Sequence, residues 1–164
     1  MATRDTVHTG LRSRESCTDT YHRGMSTEAV RVRVEMFVAN RVELARIDAM
    51  SGPQATGWPS VDCTDWLDGM NQLAADVTGQ DLTVFGDHEL LFPEGDASEW
   101  DGPWLVRVPD DAVTALAEAT DDQLSAYAAR ADLTEAQTAR DAELRELCRQ
   151  ALAEGRGVFQ WSTA

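Results

Sequence analysis

The 164-residue sequence predicts a single-domain α+β fold: a small mixed or antiparallel sheet, a helical C-terminal half and a final short strand. Three observations carry that expectation. Val30, Val32, Val34, Met36 and Val38 recur with period two, which marks a strand with one buried face. From Asp110 onward the apolar spacing turns helical and cap signals repeat. Strand-like and helix-like segments alternate without a regular βαβ unit, which favours α+β over a parallel α/β sheet.

Each element has a local reason. After the Val30–Val38 strand, where Arg31, Arg33, Glu35 and Phe37 fill the intervening positions, Asn40 stands three residues before Glu43. That spacing is a capping box, and it opens a helix carrying Val42, Leu44 and Ile47 that stops before Gly52. Residues 52–60, GPQATGWPS, are a loop by Gly and Pro content. A second helix is expected over 62–77. Trp66, Met70, Leu73 and Val77 share one stripe with Leu67 and Ala74, and Gly79 supplies the stop. Leu82–Phe85 and Glu89–Phe92 read as short strands around a Gly86-Asp87 turn, and Trp104–Val108 as another strand. Val113, Leu116 and Ala117 form a short helical face. Thr120 with Gln123, and Thr134 with Gln137, are capping boxes that start two further helices. The last helix turns Leu144, Leu147, Cys148, Ala151 and Leu152 inward and ends at Gly155. Val158, Phe159 and Trp161 finish as a strand.

Charge sets the outer limits on function. Against 29 acidic residues stand 14 basic ones, a formal net of -15, and every basic residue is Arg. Such a surface repels phosphate backbones, so nucleic acid is not an expected partner. Without Lys there is no Walker-type phosphate lysine, Schiff base or Ser–Lys dyad. A high-GC bacterial genome would also favour Arg over Lys codons. Residues 1–24 hold four Arg and three acidic residues, so they contribute +1 and the remaining 140 residues carry -16. That N-terminal stretch has only Val7 and Leu11 as aliphatic residues and is expected to be a disordered extension. The stretch from Met25, MSTEAV, looks like a protein start, so translation from Met25 is the accompanying hypothesis, with residues 25–164 as the single domain. Between Arg46 and Arg107 there are twelve acidic residues and no basic one. Cys17, Cys63 and Cys148 form no C-x-x-C pair. With no secretory or membrane-spanning run, they read as free thiols of a cytoplasmic protein without a membrane partner.

In element order the chain resembles the YfbM-like family of small uncharacterised proteins. The resemblance lies in MFVANRVELARI, VDCTDWLDGMNQLAADVTG, DGPWLVRVPDDAVTALAEA and LRELCRQALAEGRGVFQW. It implies an α+β fold and carries over no catalytic residues.

Candidate chemistry is confined to the acidic centre. Asp62, Asp65 and Asp68 recur every third residue of the expected helix, where neighbouring carboxylates could bridge a divalent cation. The same spacing fits a solvated face opposite Trp66 and Met70. Glu94, Asp96, Glu99 and Asp101 make an acidic loop without the ligand spacing of a calcium loop. Beside it, Trp100 and Trp104 suggest an interaction surface, with one of the two in the core. His88, flanked by Asp87 and Glu89, could act as a base toward Cys63, although no H-E-x-x-H, G-x-S-x-G or phosphate-binding Gly motif supports an enzyme. No cofactor is implied. The leading expectation is a non-catalytic module that binds a basic partner protein, as immunity proteins and other inhibitors do. Its contact residues would be Asp87, His88, Glu94, Asp96, Glu99, Trp100 and Asp101. The alternative is a metal-dependent enzyme or divalent-cation binder using the 62–101 region, with Asp62, Asp65, Asp68, Asp87, His88 and Glu89 as its groups.

Overall fold

The computed structural model describes residues 32–53, 56–64, 66, 68–95 and 100–163. The extension expected over residues 1–24, with Cys17, lies outside the described residues. The order of elements is β1 (Arg33–Ala39), α1 (Arg41–Leu44), β2 (Ser60–Asp62), α2 (Gly69–Thr78), a 3-10 turn (Leu82–Val84), β3 (Glu89–Phe92), β4 (Trp104–Arg107), α3 (Asp110–Glu118), α4 (Asp121–Arg130), α5 (Glu135–Glu154) and β5 (Gly157–Thr163). The strands form one antiparallel sheet in the order β2-β1-β5-β4-β3. This is the α+β architecture the sequence predicts, with helices gathered in the C-terminal half and a strand at the end. Among the described residues no helix is long and apolar enough to cross a membrane.

The final strand is not peripheral. β5 lies between β1 and β4, paired to β1 from Arg33↔Thr163 through Ala39↔Gly157 and to β4 from Trp104↔Ser162 through Arg107↔Phe159. One face of the sheet packs against the helices. Val34, Met36, Val38 and Val158 meet Met70, Leu73, Leu116, Leu144, Cys148 and Ala151 in the main core.

The opposite face is buried too, which corrects the one-sided reading of β1. Phe37 and Ala39 are fully buried there with Leu105, Phe159 and Trp161. The segment after α1 covers them: Trp58 stacks on Phe37 at 5.6 Å, and the Trp161 indole N–H donates to Ala49 O at 2.7 Å. A strand covered on both faces loses its polar alternation, so Phe37 belongs to a second core.

Other expectations shift at the local level. The helix expected from residue 62 begins at Gly69, whose φ of +75° breaks helical continuity with the residues before it. Asp62 therefore sits in β2, a short strand held by the pairs Glu35↔Asp62, Met36↔Val61 and Phe37↔Ser60. Leu82–Val84 is a 3-10 turn and not a strand. Asp81 starts it by accepting from the Thr83 N–H at 2.9 Å, an Asx cap that competes with extended backbone. The Asn40–Glu43 capping box is present, but α1 lasts only four residues and Val42 is exposed. Leu152, expected inside, is also exposed. The boxes at Thr120 and Thr134 and the left-handed stops at Gly79 and Gly155 form as the sequence predicts.

Candidate binding groove

Where the second sheet face runs out from under its cover, a groove of about 950 Å³ opens between β1, β3–β5 and the end of α5. Its floor is apolar, made by Ala39, Leu91, Leu105 and Phe159 with Leu44 at one side. Strand alternation places these side chains: Phe159 points opposite to Val158, which belongs to the helix-side core. Gly157 leaves room for the Phe159 ring, since a Cβ there would stand 3.1 Å from it.

The rim is charged and largely fixed. Arg107 Nη2 donates to both carboxylate oxygens of Asp110, at 2.8 and 2.9 Å, with Glu89 Oε2 at 4.0 Å from Nη1. Arg156 follows the helix stop at Gly155 and ties three elements together. It donates to Val38 O at 3.0 Å, Glu43 Oε2 at 2.7 Å and Glu154 Oε2 at 2.8 Å. The Asn40 N–H, and then Arg156, hold the Glu43 carboxyl below its ordinary range. Arg156 and Gln150 do the same for Glu154. These forked, charge-assisted contacts brace the groove wall. Arg41 lies exposed on the lip.

The residues singled out from sequence fall around this groove unevenly. Glu89 lines it. Asp87, Glu94 and Asp101 are exposed, while Asp96 and Glu99 lie outside the described residues. His88 is half-buried, and burial lowers its pKa against the opposing pull of Asp87. Trp100 has structural contacts: its indole N–H donates to Pro103 O at 2.8 Å, and its ring meets Phe92 edge-on at 5.5 Å. Trp104, at the start of β4, is likewise partly exposed, so neither indole is a fully buried core residue.

Asp62 and Asp68 do not share a helix. Asp62 accepts from the Thr64 N–H within β2's exit turn, Asp68 precedes α2, and Asp65 lies outside the described residues. Among the described residues no three His, Cys, Asp or Glu side chains are grouped to hold a metal. Cys63 is buried, and burial pushes its thiol up to about 12, so no thiolate forms near neutral pH for the Cys63–His88 arrangement to use. Cys148 is buried and raised to about 12 in the same way.

Sequence reasoning missed Arg107, Asp110, Arg156, Leu105 and Phe159. Only the alternation Gly157, Phe159, Trp161, a second apolar face on the last strand, pointed toward them. Fold and groove together define a small α+β domain with a concave, apolar-floored and ion-rimmed face. No family model, curated protein or solved structure matches the chain.

Proposed function

We propose that the protein is a non-catalytic binding module whose groove seats a basic partner protein. One observation supports this reading above others. The apolar floor at Leu91, Leu105 and Phe159 is lined at its edge by the exposed Glu89, two residues from the exposed Asp87. An amphipathic segment of the partner would lay apolar side chains on the floor and direct cations to Asp87, Glu89 and Glu94. The floor supplies affinity by desolvation, and the net charge of -15 steers the encounter. The YfbM-like resemblance fits this proposal, since it implies no catalytic residues. A cytoplasmic location is part of the same reading.

Immobilised protein tests it. At low salt it should retain a basic protein, identified by mass spectrometry, that high salt releases and that an Asp87→Arg/Glu89→Arg/Glu94→Arg variant fails to hold. The reading fails if nothing basic is retained, or if retention survives both high salt and charge reversal.

A further inference from the structure

The sheet ends at β3, and the outer edge of that strand is open. The order β2-β1-β5-β4-β3 gives β3 a partner on one side only, and among the described residues no backbone bond meets Leu90 from the other side. The ladder fixes which groups face outward. Val108 N–H donates to Val158 O at 3.0 Å, so Val108, and by alternation Val106, turn their backbone polar groups toward β5. Arg107 turns its own toward β3, where it opposes Glu89. Leu90, the next residue, therefore aims both its N–H and its C=O away from the sheet. Its side chain lies on the face shared by Val106, Gln160 and Met36 and is 43% exposed.

Glu89 points to the opposite face. It lines the groove, and its side chain is 56% exposed. The register shift between Leu90 and Phe92 is a bulge that lets Leu91 and Phe92 both pack on the second core. An edge of four residues that is bulged and acidic is a poor template for a second copy of this chain, which carries the same net charge of -15. Toward a cationic strand the same features are complementary. We propose that the basic partner docks by adding an extended segment to β3, antiparallel to it, with an aliphatic residue opposite Leu90 and a cation at the next position, beside Glu89. The aliphatic residue exchanges both backbone hydrogen bonds with Leu90 and packs on its side chain. Strand alternation sends the cation to the groove face, where Glu89 pairs with it. This inference rests on the partner reading above and adds to it the conformation and residue pattern of the docking segment.

The probes are a capped octapeptide in which arginine and valine alternate, and the same peptide N-methylated at every valine. Methylation keeps the charge and removes the donors that would face Leu90. In an NMR titration of the full chain, the first peptide should shift the Leu90 amide saturably and slow its hydrogen exchange. The methylated peptide should bind at least about tenfold more weakly, the effect of losing a backbone hydrogen bond at the edge. Leu90→Pro removes the outward N–H and leaves the ladder to β4 intact, a place where an edge strand tolerates proline. That variant should keep its thermal transition and lose the peptide response; if it does not fold, the two peptides on the unmodified protein decide. Equal binding of the two peptides, or binding of neither, would overturn strand addition, while salt-sensitive retention of a basic protein would still uphold the partner reading. Retention of nothing basic would remove that reading and this docking mode with it. A Leu90 amide already slow to exchange in the free protein would also overturn the inference. Dependence of that protection on protein concentration would then mean that a second copy occupies the edge, and independence that the chain's own residues cover it.

Discussion

The chain has no lysine, so all 14 of its Lys-or-Arg positions are arginine, and the described copies show what the forked side chain does here. Arg130 Nη2 donates to Asp76 O near the end of α2 at 2.6 Å. Arg149 reaches Ala117 O and Ala119 O, closing the end of α3. Arg156 spans a carbonyl and two carboxylates. Each contact satisfies acceptors at a helix or strand end, where the planar fork outperforms a point-charge ammonium. Gly52 shows the opposite economy of shape. It holds φ at +73°, and a Cβ would stand 2.9 Å from the Trp161 ring, which its own hydrogen bond to Ala49 O keeps in place. Gly52→Ala should therefore lower stability by about 2 kcal/mol or more, combining backbone strain with overpacking. Gly57→Ala is the control. Its φ is +70° but nothing lies within 4 Å of the added carbon, so only about 1 kcal/mol is expected. Urea unfolding midpoints of the two variants separate the packing cost from the conformational one.

At the scale of single elements, the helices after Asp110 follow their sequence signals closely. The Thr134 hydroxyl accepts from the Gln137 N–H at 3.3 Å while the Gln137 side chain accepts from the Thr134 N–H at 2.9 Å, and Thr120 with Gln123 repeats the device. Thr134→Ala and Thr120→Ala should each cost about 1 kcal/mol in thermal or urea unfolding. The double variant should be close to additive, because the caps serve different helices and share no partner. Elements that rely on pairing were harder to read. β2 exists because Val61 faces Met36 across a ladder, not because three residues have strand character. The expected 62–77 helix had a convincing stripe, since Trp66, Met70, Leu73 and Val77 are all buried. Burial alone does not distinguish a helix from a turn leading into one, and the positive φ at Gly69 is a backbone fact that apolar spacing does not encode.

For the whole molecule, β5 is decisive. It supplies Val158 to the helix-side core and Phe159 and Trp161 to the second core, and it alone joins β1 to β4. Deleting residues 157–164 should abolish cooperative thermal unfolding, because the sheet would divide into two strand pairs with apolar surface exposed on both faces. Retention of a sharp calorimetric transition would contradict this account. The groove depends on the same strand, since its floor and wall join residues from 39 to 159. Of its lining residues only Glu89 had been marked in advance as a functional candidate. The acidic centre was conspicuous as a run of charge, yet some of its members serve as local caps. Asp48 accepts from Met50 N–H and Ser51 Oγ–H, and Asp81 from Thr83.

Interactions among neighbours a few residues apart were enough for the α+β class, the three capping boxes, the glycine stops at Gly79 and Gly155, the inward faces of α3 and most of α5, and the sign of the surface charge. Periodicity and side-chain-to-backbone hydrogen bonding are local physics, so they are legible in one dimension. Tertiary structure alone decided which strand stood at the centre of the sheet, that its second face was a core, and that Arg107, Asp110 and Arg156 met beside Phe159. These outcomes turn on burial and pairing between residues far apart in the chain, where the cost of an unpaired polar atom and the gain of a covered apolar one depend on the assembled fold.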